Sequence, residues 1–199
     1  NPYDVPSDDL YIHSFMRMLR GTTKPNVYTA KDIKDMRDIY RIGVAVAGGE
    51  EELRAKPFFL QYAEPISPLF IIEESLQKLI FCAEKGIPIA YIPSVNTGGG
   101  GPVTLAGAIA LGNAESLLGL IISQLVRPGT PFLYGMNTAA LDMKTTIVSY
   151  GSPEWSLGMA GWTALGKYYN LPVWGFGGSS DSKVVDTQAG IEATFSIMS

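Results

Sequence analysis

Residues 98–135 read GGGGPVTLAGAIALGNAESLLGLIISQLVRPGTPFLYG, and this stretch decides the fold class. A glycine loop, Gly98–Gly101, opens into a long helical segment, Val103–Val126, whose only charge is Glu115. Arg127-Pro128-Gly129 ends the helix, because proline cannot continue one and glycine accepts the left-handed turn that closes it. A short apolar strand, Pro131–Tyr134, follows. Loop, helix, loop and strand in that order make one unit of an α/β protein, with a backbone-exposing loop where ligands often bind.

Outward from this unit the punctuation repeats. Upstream, the apolar run Phe58–Gln61 precedes a helical pattern at Glu73–Glu84, closed by Gly86, and then the apolar run Ile87–Ile92. Downstream, Pro153–Tyr169 reads as a helix with Pro early in its first turn and Ser152 as N-cap. Val173–Phe176 reads as a strand, and Gly177-Gly178 leads to a helix near Val185–Met198. At the front, Lys24–Tyr28 reads as a strand before the helical pattern Lys31–Val46, and Leu10–Leu19 is helical. Strand starts lie roughly 30 to 43 residues apart with a helix in each gap, the signature of parallel βα units. No glycine fingerprint opens the first unit, which disfavours a dinucleotide-binding sheet and favours a barrel. A complete eight-fold barrel takes about 250 residues. Five units are too few for that, so either the sheet is open or the chain is part of a longer one; the expectation is a single domain, residues 1–199, forming part of a TIM (β/α)8 barrel. Asn1 in place of a start residue, and a helix running to Ser199, are read as the marks of a fragment.

Composition bounds the function. A net charge of −4 argues against a nucleic-acid partner, and 46% hydrophobic residues suit a globular core. Val103–Val126 is long enough to span a bilayer, but Asn113, Glu115, Ser116, Ser123 and Gln124 weigh against that, so a helix buried on a sheet and no membrane partner are expected. NPYDVPSDD at the start has neither a basic nor an apolar signal region. A single cysteine, Cys82, excludes an intrachain disulfide and fits a reducing, cytoplasmic setting.

In parallel α/β folds the working groups follow the C-terminal ends of strands. That rule selects Gln61, Tyr62 and Glu64; Ser94, Asn96 and Gly98, Gly99, Gly100 and Gly101; Tyr134, Asn137, Asp142, Tyr150 and Glu154; and Ser179, Ser180, Asp181 and Lys183. The tetraglycine has two readings, an anion cradle of backbone N–H groups or a loop against which something packs closely. Asp181 and Asp186 have a simpler reading as caps of the last helix. His13 is the only histidine and lies far from any strand end, so no nucleophile–histidine pair is available. No carboxylate spacing suggests a metal. Tyr62, Tyr134, Tyr150, Trp155 and Trp174 interleave with Glu64, Glu154 and Asp181, a mixture that suits an alkylated ammonium through cation–π attraction. Trp162 and Tyr168 are read as core.

Together, Thr22–Pro25, Pro102–Glu115, Gln124–Gly129, Ser149–Glu154 and Asp181-Ser182-Lys183 with Asp186, Gln188, Ala189 and Gly190 resemble the trimethylamine:corrinoid methyltransferase family over nearly the whole chain. The resemblance implies a TIM barrel of about twice this length, of which this would be the central portion. It implies methyl transfer from a methylated amine, trimethylamine or a quaternary amine such as glycine betaine, to the Co(I) corrinoid of a cognate partner protein. No cofactor is then bound tightly by this chain, and a homo-oligomer is expected. Glu154, Lys183 and Glu64 are the expected catalytic residues, either glutamate serving as acid for a tertiary amine. Some members of that family use pyrrolysine. Lys183 is the position where it is expected to project, and an ordinary lysine there points to the quaternary-amine branch. Two other readings stand beside this one: a TIM-barrel lyase or aldolase using Lys183 as a Schiff base, and a non-catalytic amine-binding relative.

Overall fold

The computed structural model describes residues 4–198. In chain order its elements are α1 (Leu10–Gly21), β1 (Asn26–Tyr28), α2 (Ile33–Ala47), α3 (Glu50–Ala55), β2 (Phe59–Ala63), α4 (Glu73–Lys85), β3 (Ile89–Tyr91), β4 (Ser94–Thr97), α5 (Leu105–Val126), β5 (Phe132–Leu133), β6 (Asn137–Ala140), α6 (Pro153–Tyr168) and α7 (Thr187–Met198). Strands alternate with helices and pair in parallel, so the α/β class read from the sequence holds. The chain divides into two compact units.

The first unit comprises residues 4–63, 72–90 and 122–131. Its strands lie in the order β1-β2-β3, with Asn26 opposite Phe59 and Tyr28 opposite Gln61. The Gln61 N–H donates to Pro88 O at 2.9 Å, and Ile89 N–H to Pro131 O at 3.2 Å. Helices cover this sheet through an apolar core in which Phe15 meets Tyr28 and Phe59 edge-to-face at 4.9 and 5.1 Å. Gly43 is required there, since a Cβ would lie 2.7 Å from the Phe59 ring. Cys82 is buried in the same core, where burial pushes its thiol far above the usual range and leaves it unreactive. Gly86 caps α4 with a left-handed φ of 72°, as its sequence position implies.

The second unit comprises residues 64–71, 91–121 and 132–198. Its frame is a two-stranded parallel ladder of β4 and β6, Ser94 opposite Asn137 and Thr97 opposite Ala140. The loop placement expected for Ser94, Asn96 and Asn137 is therefore corrected: these residues pair as strands. Conversely, the expected strand Val173–Phe176 reduces to a single parallel bridge between Val173 and Tyr134. Helix α6 packs directly on β6, where a Cβ on Gly158 would come within 3.2 Å of Thr138 O.

Helix α5 departs from the expected buried apolar helix. It is long and apolar enough to cross a membrane by length and composition, yet 28% of its most apolar stretch is buried. Its inward stripe is small and polar: Ala108, Gly112, Glu115, Ser116, Gly119 and Ser123 are buried, whereas Leu118, Ile121 and Leu125 are exposed. The spacing of three and four residues is helical; it is the chemistry of the two faces that is exchanged. Small residues let α5 approach closely, and a Cβ on Gly119 would collide with the Tyr91 ring. Tyr168 is likewise corrected from core to surface at 81% exposed, because the next residue, Tyr169, about 100° further round the helix, takes the inward position against Tyr134.

Gly119→Ala is expected to lower stability by about 1–3 kcal/mol through overpacking on Tyr91. Gly190→Ala, in α7 with nothing within 4 Å of the new Cβ, is expected to raise it by about 0.5–1 kcal/mol. Thermal unfolding of both variants beside the parent chain checks the contrast.

Candidate functional site

The β4–β6 ladder ends at Thr97 and Ala140 on the same side, and the chain leaves both strands there toward the first turns of α5 and α6. A cavity of about 380 Å³ opens at these strand ends, lined by Thr97, Gly98, Val103, Leu105, Ala140, Leu141, Met143 and Glu154. Strand C-terminal ends are where parallel α/β proteins place their chemistry. The volume lies in the range of small-molecule sites, about 300–1,000 Å³. Thr97 turns its hydroxyl to Ala139 O at 3.4 Å. Glu154 is then the only charged group on an otherwise aliphatic lining. Its position is fixed by the start of α6, where Ser152 caps by accepting from Trp155 N–H at 3.3 Å and Pro153 opens the first turn.

The tetraglycine borders this cavity but does not cradle an anion. The N–H groups of Gly99, Gly100 and Gly101 all donate to Asn96 O at 3.1 Å, and Gly98 N–H donates to Gly101 O at 3.3 Å. The amides that an anion would need are turned onto the chain itself. The close-packing reading holds instead. A Cβ on Gly99 would lie 3.0 Å from Leu141, one on Gly100 3.3 Å from Ser67 O, and one on Gly101 would collide with Val95. Gly98 adds a left-handed φ of 78° beside Met143. Ser67 is held in turn by the buried Glu115, whose carboxylate accepts from Ser67 Oγ at 2.6 Å and Leu69 N–H at 2.5 Å.

Asp181 is not a helix cap. Its carboxylate accepts from Ser149 Oγ and from the N–H groups of Tyr150 and Gly151, both at 3.0 Å. Burial pushes its carboxyl up, but these hydrogen bonds and the charge of Lys183 outweigh it and hold the group below its ordinary range. Asp186 does cap α7, accepting from Ala189 N–H at 2.8 Å. Lys183 is exposed on the turn between them and is not among the cavity's lining residues.

The aromatic residues gather apart from the lining. Tyr150 stands edge-to-face on Trp155 at 4.5 Å, and Trp155 meets Trp162 and Phe176. Trp174 joins through Phe176 at 6.0 Å. Trp155 is wholly buried, whereas Tyr150 is 40% exposed. Tyr134 is also buried, its hydroxyl donating to Asn113 Oδ1 at 2.7 Å. Asn137 is 7% exposed, and its buried Oδ1 has no hydrogen-bond partner among the described residues. Tyr62 lies within β2 in the first unit, and Glu64 is exposed at the start of the second. His13 is exposed on α1. Among the described residues no group of three or more His, Cys, Asp or Glu side chains is placed to hold a metal ion. Sequence reasoning found Glu154 and Gly98. It missed Thr97, at the end of a strand that the sequence does not announce, and Val103, Leu105, Ala140, Leu141 and Met143, whose apolar side chains carry no chemical signal.

Residues 1–199 match the family described as trimethylamine methyltransferase (MTTB). The chain is 35% identical over 193 residues to the trimethylamine methyltransferase MttB of Desulfitobacterium hafniense strain DSM 10664 / DCB-2, covering 97% of this chain and 39% of that protein. It is 32% identical over 197 residues to the glycine betaine methyltransferase of D. hafniense strain Y51, covering 99% and 41%. With MttB of Methanosarcina thermophila it shares 39% identity over 151 residues, 76% of this chain and 31% of that one. The chain belongs to the trimethylamine methyltransferase (MTTB) family, and it spans about two fifths of the length of the first two relatives.

A folded-state carboxyl held low contributes stability that is present above its unfolded value, about 3.9, and is lost as pH falls through the folded value. Asp181→Asn is therefore expected to be less stable than the parent at pH 7, the difference shrinking below about pH 4. Acid unfolding of both proteins, followed by circular dichroism, checks this; a pH-independent difference would contradict it.

Proposed function

We propose that this member of the family is the central portion of a TIM-barrel methyltransferase that moves a methyl group from a methylated amine to the Co(I) corrinoid of a partner protein. The single observation that carries the reading is the cavity at the ends of β4 and β6, aliphatic apart from one carboxylate, Glu154. A methylated ammonium is a cation wrapped in apolar surface. Its methyl groups gain about 25 cal/mol per Å² when removed from water onto aliphatic walls, and its charge needs a single opposite charge nearby. Val103, Leu105, Leu141 and Met143 supply the walls and Glu154 the charge.

The chemistry asks little more of the protein. The corrinoid acceptor, brought as a substrate by its carrier protein, supplies the nucleophile, so this chain needs no Ser or Cys of its own. Its residues hold the donor methyl in line and exclude water. A quaternary amine leaves as a neutral amine without a proton. A tertiary amine must first become cationic, and Glu154 is the proposed source of that proton. The similarity to both a trimethylamine and a glycine betaine methyltransferase supports the methylated-amine class rather than one member of it. Tyr150, Lys183 and Asp181 stand on the turns beside α6 and α7 and belong to the rim of this reading. A cytoplasmic homo-oligomer that does not enter the membrane is part of the same proposal.

In the full-length enzyme Glu154→Gln is expected to lower kcat/KM for the methylated amine by at least about 100-fold, the scale of a lost general acid or a lost charge partner. Methyl transfer to the corrinoid protein, followed by its absorbance, measures this; near-normal turnover would remove Glu154 from the site. The intact mass of the 179–198 peptide then separates the substrates. A mass matching pyrrolysine at 183 favours trimethylamine, and an unmodified lysine favours a quaternary amine.

A further inference from the structure

Glu192 is a carboxylate that neither the sequence reading nor the cavity lining brings forward. On α7, its Oε2 accepts from Ser180 Oγ at 2.7 Å and from Asp181 N–H at 2.8 Å. Its Oε1 accepts from Gln188 Nε2, one turn earlier, at 2.8 Å. The same carboxylate lies against Gly151, where a Cβ would collide with Cδ and Oε2. Asp181, whose backbone Glu192 holds, reaches back with its own carboxylate to Ser149 Oγ and to Tyr150 and Gly151 N–H.

Two neighbouring carboxylates would repel one another on bare proximity. Here each is surrounded by donors, and the hydrogen bonds from Ser180, Asp181 N–H and Gln188 hold the Glu192 carboxyl low. The pair thus forms a clasp. Glu192 fixes the 180–181 turn, Asp181 fixes the 149–151 turn, and the face of Gly151 is pressed on Glu192. The residues that leave this clasp are Ser152, the N-cap of α6, and Glu154, the charged group of the cavity. Tyr150, inside the clasp, is set on Trp155.

We propose that Glu192 is a positioning residue for the amine site, acting through Asp181 and Gly151 to hold the turn that delivers Glu154 to the cavity. This rests on the methylated-amine reading for its catalytic arm and on geometry alone for its structural arm. Glu192→Ala removes every contact. Glu192→Gln keeps an oxygen for Ser180 and Asp181 N–H. Gly151→Ala pushes the carboxylate away from the opposite side.

The test is made in the full-length enzyme with two readouts, amide hydrogen exchange over 149–156 and the amine dependence of methyl transfer with trimethylamine and glycine betaine as probes. Exchange of the Tyr150 and Gly151 amides is expected to speed up at least about tenfold in Glu192→Ala and in Gly151→Ala, and to stay within about threefold of the parent in Glu192→Gln. The amine KM is expected to rise about tenfold in the first two variants and to recover in Glu192→Gln. Adding Gly151→Ala to Glu192→Ala should cost little more, because the two changes break one contact. Unchanged exchange in Glu192→Ala overturns the proposal, as does faster exchange with an unaltered KM. If the parent enzyme transfers no methyl group from either amine, the methylated-amine reading fails, and the exchange arm still decides whether Glu192 holds the turn.

Discussion

The parallel pairing of β4 with β6 is the constraint on which the site depends. Register is set residue by residue, Ser94 on Asn137 through Thr97 on Ala140, so both strands end together. Each is followed by a loop and then a helix, and the two first turns must therefore start at the same edge. A one-residue slip would turn the alternate side chains of a strand to its other face. Leu141 and Met143 beyond β6 and Val103 and Leu105 beyond β4 share a cavity because of that pairing, and Glu154 joins them because α6 packs back onto β6 through Gly158.

Glycine acts in the second unit chiefly by letting atoms approach. The loop 98–101 coils its N–H groups onto Asn96 O and is covered by Leu141 and the Ser67 carbonyl. Gly112 and Gly119 do the same for α5, opening space for Met136 and Tyr91. Carboxylates supply the polar counterpart. Glu115 fixes the 67–69 turn against the glycine loop, and Asp181 fixes the turn ahead of α6. Carboxylates suit this task because one group accepts several convergent donors, which a neutral side chain does less strongly.

Much of the fold was legible in the sequence. β2, β3 and β5 announce themselves as apolar runs, β1 was read from Lys24–Tyr28, and α4 and α6 carry Gly86 and Ser152 at their ends. The pair β4 and β6 was not legible: SVNT and NTAA are short, small and polar, and only long-range pairing makes strands of them. α3 was missed because EEELRA offers only Leu53 and Ala55 as apolar residues, and no period. Of the candidate site, Glu154 was legible from its place after the strand Pro131–Tyr134. Trp155 and Tyr134 had the right residue type at the right strand ends, but they point into the core, an orientation that spacing does not reveal.

The central claim is that the cavity at the ends of β4 and β6 holds a methylated ammonium. Met143 offers a direct probe, since it lines that cavity and its side chain reaches the Gly98 turn. The measurement is a titration of full-length protein, labelled with ¹³C at its methionine methyl groups, with trimethylamine and then glycine betaine, following each methyl resonance by NMR. The account predicts a saturable shift of the Met143 methyl with either amine. A saturable shift confined to other methionines, with Met143 unmoved, would place the amine elsewhere and contradict it.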